Sequence, residues 1–505
     1  MGIRFELILV AAALMSFIAT GYFYNKVLKV AKVSKAMDNP NKRKLQSNPI
    51  PVLGGFVVFF GILCGLLFAG AILKTIDNTG VYENASKLYY LCGLQPVVVA
   101  GAIMLFTGCI DDLIGLTPRF RLIMECLAVL GMCLCSGQCV DSLFGLFGIN
   151  AFSWWIGLPL TVLIGVGIIN AYNMVDGVDG LSSGLCITTA PVIMWLFLKR
   201  NDGVDAVLMI CYMASLIPFF LHNVFGKRSR MFIGDAGTML MGTLFTWCMI
   251  QTLSVDGVMA NLKETDPDAV MCLPAMLFAI ASVPVMDTLR VMVHRKIHGT
   301  SVFQADRSHL HHKFIDAGVG HFMTSVFEIL LNVLVMLVWY VTYKLGILMV
   351  GQLIATVIAA VFLVWGTYFF LNYRRCYNIG FVRFMQKISI LSHLEKTSVW
   401  RHIQKYVDRT SYREDLIDLV KDSFFVSHGK PLSNKKMKMV EVLYYMQYRK
   451  DTKVEKIIKN LNIEPKNVQQ ILSEMEQGGM IEVLDREHNG NILSLKLSRR
   501  AVLDR

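Results

Sequence analysis

Four polar clusters interrupt an otherwise apolar sequence, and three of them are built around aspartate. Asp111 and Asp112 are adjacent, and neighbouring carboxylates repel each other unless a cation lies between them. Mg²⁺ prefers such hard oxygens, usually one or two carboxylates with water and phosphate oxygens in the other positions. Arg119 and Arg121 follow shortly after, and Arg binds phosphate through paired N–H groups. The spacing predicts a site for a divalent cation and a phosphorylated ligand; an ordinary ion pair on a solvated loop is the alternative.

The second cluster runs from Asn170 to Gly180 and repeats a polar residue at every third position. Asn170, Asn173, Asp176 and Asp179 are each about one helical turn apart, so all four could share one face of a helix. The glycine after each aspartate lets the backbone turn sharply or approach a ligand closely. No Lys or Arg within the segment neutralises the two aspartates, which favours a bound ligand over a plain polar helix end.

The third cluster is Phe232-Ile-Gly-Asp-Ala-Gly237, which opens an apolar run. Asp235 stands between two glycines, where the free backbone N–H groups of a helix start also favour phosphate. Phe232 could stack on a base, although an aromatic residue at a membrane interface is an equally good interpretation.

The fourth cluster is a polar loop that ends in three histidines, His309, His311 and His312. Three histidines this close could bind zinc, but no cysteine accompanies them and the other clusters offer only oxygen ligands. We therefore interpret them, together with Asp306 and Arg307, as groups that orient and neutralise a diphosphate.

The composition indicates that membrane-spanning helices position these clusters. The chain has 505 residues, of which 54% are hydrophobic and only 17% charged, whereas soluble domains carry roughly a quarter charged residues. A span needs about 20 mostly apolar residues. We predict an all-α polytopic protein with about eleven spans, near residues 5–24, 50–73, 89–110, 120–137, 154–172, 182–198, 204–222, 234–253, 269–292, 323–343 and 347–371.

The distribution of Lys and Arg predicts the orientation of these spans. The loop after the first span is rich in Lys, and further basic residues accumulate in the loops on the same side. Because cytoplasmic loops are enriched in Lys and Arg, we expect the N-terminus outside and all four clusters in the cytoplasm. Basic cytoplasmic loops together with a basic C-terminal region explain the net charge of +12 without nucleic acid. The first span has no cleavage site, so we expect it to be retained in the mature protein. A disulfide among Cys133, Cys135 and Cys139 is disfavoured.

The C-terminal part differs in composition and predicts a separate cytoplasmic region. We expect a transmembrane domain over 1–372, a helical linker over 373–434 and a winged-helix-like α/β domain over 435–505. Helical stretches near 435–449, 452–461 and 465–477 precede two apolar runs around Asn489-Gly490, a dipeptide typical of β-hairpins. The third helix carries Lys466 against Glu474 and Glu476, whereas a DNA reader needs a clustered basic face. Protein interaction or regulation is therefore favoured over nucleic-acid binding.

Together the motifs resemble the polyprenyl-phosphate N-acetylhexosamine-1-phosphate transferases, the family that includes MraY, TagO and WecA. The matching pieces occur in family order across about residues 1–371. They are Asp38 to Lys44 with Pro49 to Gly55, Asp111-Asp112, Asn170 to Gly180, Phe232 to Gly237, Pro284, Asp287, Arg295, Gly299, Phe303, Asp306-Arg307 and His309 to His312.

The resemblance implies a reaction, its cofactor and its location. It implies Mg²⁺, with Mn²⁺ as a substitute, a UDP-N-acetylhexosamine donor and undecaprenyl phosphate as acceptor, giving the lipid-linked sugar diphosphate and UMP. The His-Leu-His-His sequence is similar to the WecA and TagO branch, which favours UDP-N-acetylglucosamine. The expected place is the bacterial inner membrane, at the initiating step of a cell-surface polysaccharide such as cell wall or O-antigen. A homodimer is left open.

The resemblance also distributes roles among the residues. Catalytic roles fall to Asp111, Asp112, Asp176, His309, His311 and His312, and the metal to Asp235, Asp112 and Asp176. Substrate binding falls to Arg43, Lys44, Arg119, Arg121, Asn170, Asn173, Asp179, Phe232, Arg295, Asp306 and Arg307. Three departures from the family pattern, Gln46, Ala305 and Glu125, affect fine specificity. Two rivals remain, a transporter of a phosphorylated metabolite and a membrane-tethered DNA-binding regulator, although a transporter would place its carboxylates near span midpoints.

Overall fold

The computed structural model describes residues 3–34, 36–38, 49–77, 93–148, 151–200, 202–255, 272–301, 307–373, 380–391, 397–404 and 406–408. Towards the C-terminus it describes 438–439, 442, 445–446, 453–461, 463–477, 481–487 and 490–497. The chain forms two compact units, Met1–Val407 and Asp408–Arg505. The predicted boundaries at 372 and 434 stay predictions.

The first unit is built from helices, with one short antiparallel strand pair. In chain order the elements are α1 (Ile3–Val33), β1 (Met37–Asp38), β2 (Ile50–Pro51), α2 (Gly54–Asp77), α3 (Gln95–Ile114), α4 (Pro118–Ser136), α5 (Trp154–Val175), α6 (Leu181–Lys199), α7 (Gly203–Phe225), α8 (Gly234–Leu253), α9 (Leu273–Ile280), α10 (Ser282–Ile297), α11 (Leu310–Asp316) and α12 (His321–Lys344). Then come α13 (Met349–Asn372), which contains one π-helical turn, and α14 (Gly380–Leu391).

Eight helices of the described residues are long and apolar enough to cross a membrane, or nine if the bent pair α9–α10 is one span. This is the architecture of a polytopic membrane protein. A helix lies in each of the eleven predicted segments, but α4 and α8, of 19 and 20 residues, fall short in apolar composition. For α4 the reason is its charged residues Arg119, Arg121 and Glu125, and for α8 it is the Asp, Gln, Gly and Thr residues among its apolar ones.

Helix α8 lies at the centre of the first unit. Every residue from Ala236 to Leu253 is buried, and the helix packs against α2, α3 and α5. Small residues make this close packing possible, as is typical between membrane helices. A Cβ on Gly55 of α2, for example, would lie 2.5 Å from the backbone nitrogen of Gly237. The polar start of α8 is therefore held among three other helices.

The break between α9 and α10 bends the chain by 72°. Backbone groups freed by such a break must find partners inside the bilayer. Asn332 of α12 supplies them: its Oδ1 accepts from the backbone N–H of Val283 (3.1 Å), and its Nδ2 donates to the carbonyl of Ile280 (3.1 Å). The bend is thereby stabilised, and α10 leads to the histidine loop.

The second unit contains α15 (Val454–Leu461), α16 (Pro465–Gln477) and an antiparallel pair of β3 (Ile481–Arg486) with β4 (Ile492–Leu497). Its core includes Ile457, Val468, Leu472 and Leu495. The two helices and the hairpin occur where the sequence predicts them. Most of the predicted helix over 435–449, and Asn489 of the turn, lie outside the described residues, so the winged-helix assignment stays a prediction.

Candidate active site

The guanidinium of Arg121, in the first turns of α4, is the meeting point of three predicted clusters. Its Nη2 donates hydrogen bonds to the amide oxygens of Asn170 (3.1 Å) and Asn173 (2.8 Å). Its Nη1 lies 3.4 Å from Asp111 Oδ2 and 3.7 Å from Asp235 Oδ2. One side chain thereby connects α3, α5 and α8, which carry the three clusters.

Asp112 binds the start of α8. Its Oδ1 accepts from the backbone N–H of Asp235 (3.1 Å) and its Oδ2 from that of Ala236 (3.4 Å). The N-terminal end of a helix carries partial positive charge, which favours a carboxylate there. Gly234 has φ of 71°, and a Cβ at this position would collide with the Asp112 carboxylate. The absence of a side chain at Gly234 therefore allows the Asp112 carboxylate to lie close to the start of α8.

The Phe232 segment is braced by the chain that leads into α2. The backbone N–H of Phe232 donates to the carbonyl of Pro51 (2.8 Å), and its carbonyl accepts from the N–H of Gly54 (3.0 Å). The N–H of Gly55 donates to the carbonyl of Ile233 (2.9 Å). Two motifs far apart in the sequence are therefore joined by backbone hydrogen bonds, and the Phe232 side chain is half-buried.

Asp176 and Asp179 have different surroundings. Asp176 accepts from Ser182 Oγ at 2.6 Å. Burial, together with the negative charges of Asp235 and Asp179, raises the pKa of Asp176 to about 7, and the Ser182 hydrogen bond opposes this rise. Asp179 is paired with Arg230, its Oδ2 lying 3.0 Å from Nη2. The single helical face that the spacing suggests is therefore divided, because α5 ends at Val175.

The histidine loop is anchored by Asp287 of α10. Asp287 Oδ2 lies 2.7 Å from His309 Nδ1, and Oδ1 accepts from the backbone N–H of Leu310 (3.2 Å). Arg290 donates to the same carboxylate at 2.7 Å and to the carbonyl of Ser308 at 2.6 Å. His309 is thus held by a buried ion network at the start of α11.

His311 and His312 follow within α11 and lie in less polar surroundings. The imidazole of His311 is buried and contacts Gly177, so that a Cβ there would collide with Nε2. Burial lowers the pKa of His311 well below its usual range and that of His312 to about 4. Both rings are neutral at pH 7. In this state they can orient a diphosphate through hydrogen bonds, and the neutralisation by charge that the sequence suggested stays a prediction.

Several predicted residues lie away from the Arg121 cluster or outside the described part of the chain. Arg119 is exposed and makes no ion pair with a described residue. Arg307 lies 3.5 Å from Asp316 at the surface, and Arg295 is buried near the end of α10. Arg43, Lys44 and Asp306 lie outside the described residues, so their predicted roles stay predictions.

Other residues join the site without having been predicted. Glu125 is buried and binds Arg121 Nε at 3.0 Å; its position four residues after Arg121 was the available signal, since side chains at that spacing meet on a helix. Arg230 and His321 both face Asp179. Their partners come from distant helices, so no local spacing could have revealed them.

The charges at the site suit a bound cation. Within the described residues, Asp111, Glu125 and Asp235 contact the Arg121 guanidinium, Asp112 binds the backbone N–H of Asp235, and the charge of Asp235 acts on Asp176. No three His, Cys, Asp or Glu side chains in the described ranges are close enough to hold a metal ion by themselves. Asp235, Asp112 and Asp176 therefore do not form a complete ligand set, but Mg²⁺ commonly takes only one or two carboxylates. The oxygen donors of Asp112 and Asp235 fit that chemistry.

Comparison with known proteins assigns the family. The model of the glycosyl transferase family 4 matches residues 94–253. The chain is 30% identical over 324 residues, 62% of its length and 78% of the relative's, to an undecaprenyl-phosphate alpha-N-acetylglucosaminyl 1-phosphate transferase of Escherichia coli O157:H7. It is also 30% identical over 322 residues, covering 61% of this chain and 75% of the relative, to a decaprenyl-phosphate N-acetylglucosaminephosphotransferase of Mycobacterium tuberculosis. The chain therefore belongs to the family of polyprenyl-phosphate N-acetylhexosamine-1-phosphate transferases.

Proposed function

We propose that this protein transfers N-acetylhexosamine-1-phosphate from a UDP-sugar to undecaprenyl phosphate in a Mg²⁺-dependent reaction, with UDP-N-acetylglucosamine as the preferred donor. The products are the lipid-linked sugar diphosphate and UMP. The observation that carries the proposal is the convergence of Asp111, Asn173 and Asp235 on the guanidinium of Arg121. Relatives named for the same transfer support it.

In the proposed reaction, an oxygen of the lipid phosphate attacks the β-phosphorus of the UDP-sugar. A new P–O bond forms, and the bond to the oxygen bridging the two phosphorus atoms breaks, so that UMP leaves with that oxygen. Such transfers depend on positioning and charge stabilisation more than on a covalent protein nucleophile. Arg121 supplies a fixed positive charge for phosphate oxygens, and Asn173 fixes the orientation of Asp235 through a 2.9 Å hydrogen bond.

Asp112 and Asp235 are the residues that would hold Mg²⁺, which when bound would neutralise the negative charge of the donor phosphates. Asp176, with a pKa of about 7, can hold or release a proton at its carboxyl near neutral pH. His309 is fixed by Asp287 and provides its other ring nitrogen for a hydrogen bond. The neutral His311 packs on Gly177 and thereby brings α11 against the chain that follows α5.

We further propose the orientation expected from the sequence, in the inner membrane with the N-terminus outside and the site in the cytoplasm, where UDP-sugars are made. All four clusters lie at or beside helix ends, as a site at a membrane surface requires. In the second unit, Lys496 of β4 is paired with Glu482, and α16 carries Glu474 and Glu476. A protein-interaction or regulatory role for this unit is therefore preferred to DNA binding.

The test uses purified full-length protein with undecaprenyl phosphate, Mg²⁺ and a panel of UDP-sugars. We expect UMP release and a lipid-linked sugar diphosphate by mass spectrometry, fastest with UDP-N-acetylglucosamine. An intact preparation that releases no UMP with any donor would refute the proposal. A shift of promoter DNA by the same preparation would then favour the membrane-tethered regulator.

A further inference from the structure

Helix α14 follows the last predicted span and packs against the turn that joins α11 to α12. Gln386 Nε2 donates to the carbonyl of Ala317 at 2.6 Å, and Ser389 Oγ accepts from the backbone N–H of Gly320 at 2.8 Å. Val382 and Met385, on the same side of α14, are buried. Both backbone groups belong to the residues between two helices, where the chain itself leaves them without helical partners.

The clamped turn lies between two segments that reach the candidate active site. Before the turn, α11 carries His311 against Gly177. After it, α12 begins with His321, whose Nδ1 lies 4.0 Å from Asp179 Oδ2, and continues to Ser325, whose Oγ donates to the Asp179 carbonyl at 2.8 Å. A displacement of the turn would therefore change the contact of His311 with Gly177 and the contacts of α12 with Asp179.

Trp400 forms a second link to the same region, through aromatic contacts. Its ring centroid lies 4.4 Å from that of Phe225 and 5.6 Å from that of Phe322. Phe225 ends α7 shortly before Arg230, which binds Asp179, and Phe322 lies beside His321. Trp400 thus joins the end of α7, shortly before Arg230, to the start of α12, which carries His321.

We propose that the segment after the membrane domain is a positioning element of the active site, in which Gln386 and Ser389 hold the 317–320 turn and Trp400 holds α7 against α12. The inference rests on the proposed function, since the reaction that it affects is the phosphosugar transfer. Gln386 is a positioning residue: it touches neither substrate nor reacting atoms, and acts through the turn between His311 and His321.

The test compares Gln386→Met, which keeps the length of the side chain but removes the donor, with Gln386→Lys, which keeps a donor. Phe384→Ala is the matched control on the same helix, because Phe384 is 56% exposed. For Gln386→Met we expect a fall in kcat for UMP release of about five- to tenfold, corresponding to one lost hydrogen bond. KM for both substrates should stay within about twofold, while Gln386→Lys and Phe384→Ala keep the wild-type kcat.

Hydrogen exchange of the full-length protein gives a readout that does not depend on activity. Amides over 309–325 should exchange faster in Gln386→Met and in Trp400→Ala, but not in Phe384→Ala. Unchanged exchange in both variants would overturn the clamp, and faster exchange with wild-type kcat would overturn its positioning role. Should the wild-type protein release no UMP, the proposed function fails, and the exchange comparison decides on the clamp alone.

Discussion

Asn173 accepts a 2.8 Å hydrogen bond from Arg121 and donates one of 2.9 Å to Asp235. An amide oxygen only accepts and an amide nitrogen only donates. The guanidinium therefore determines which way the Asn173 amide points, and the carboxylate of Asp235 receives a donor as a result. Arg121 of α4 in this way orients the carboxylate of Asp235 on α8 through the neutral Asn173 of α5.

Replacement of Arg121 by Lys should reduce the transfer reaction strongly. An ammonium group is a point charge and cannot replace the planar fork that contacts five side chains at once. We expect kcat/KM for UMP release to fall about 100-fold, in the range seen when one preorganised donor is removed. Arg486→Lys in the second unit, where the side chain is exposed, is the control and should stay within about twofold. Equal activities of the two variants would contradict the central role of Arg121.

Replacement of Gly177 by Ala should displace the histidine loop. The new methyl group would collide with the imidazole of His311, which is buried. Overpacking of this kind costs about 1–3 kcal/mol. If this cost falls on the transition state, kcat/KM should decrease by about five- to 100-fold. Gly167→Ala in α5 is the matched control, because nothing lies within 4 Å of its Cβ position. A Gly177→Ala protein with normal kinetics would show that the contact does not matter.

Asp176 should make the stability of the metal-free protein depend on pH. Its pKa is raised from an ordinary value of 3.8 to about 7 in the folded state, so folding favours the protonated carboxyl. The resulting destabilisation is absent below pH 4, grows as pH rises through about 7, and is constant above. Asp176→Asn lacks this titration. In EDTA, its melting temperature should exceed that of the wild type by at least about 2–4 °C at pH 8.

The same comparison at pH 4 is the control for Asp176. There the folded carboxyl is protonated and the unfolded one, with a pKa of 3.8, is about half protonated, so the difference in melting temperature should largely disappear. A difference that is independent of pH would mean that the substitution acts through packing. A difference with the opposite slope would mean that the folded protein holds the carboxylate form.

Removal of divalent cations should abolish UMP release, and Mg²⁺ or Mn²⁺ should restore it. If Asp112 and Asp235 hold the cation, Asp112→Asn and Asp235→Asn should raise the Mg²⁺ concentration needed for half-maximal activity by at least about tenfold. That factor corresponds to about 1.4 kcal/mol. Glu482→Gln in the second unit, which is half-exposed and paired with Lys496, should leave the Mg²⁺ dependence unchanged. Full activity in EDTA would exclude a role for the cation.

The helical elements could be predicted from the sequence because their signals are local. Runs of about 20 apolar residues place the helices, and carboxylates that interrupt or end such runs are conspicuous because charge in a bilayer is costly. The clusters at Asp111-Asp112, Asn170–Gly180 and Phe232–Gly237 were visible in this way, and they converge as expected. The same reasoning placed Asp179 on one helical face with Asn170, which is wrong because α5 ends at Val175. Where a helix ends depends on tertiary packing as well as on local spacing.

The sequence by itself determined the helices, the acidic segments at their ends and the family to which their order belongs. Only the tertiary structure decided that Arg121 joins three of these segments, that Asp179 binds Arg230, and that His311 is buried against Gly177. The physical reason is that periodicity and composition act over a few neighbouring residues. Ion pairing and burial depend instead on the close packing of helices that are distant along the chain.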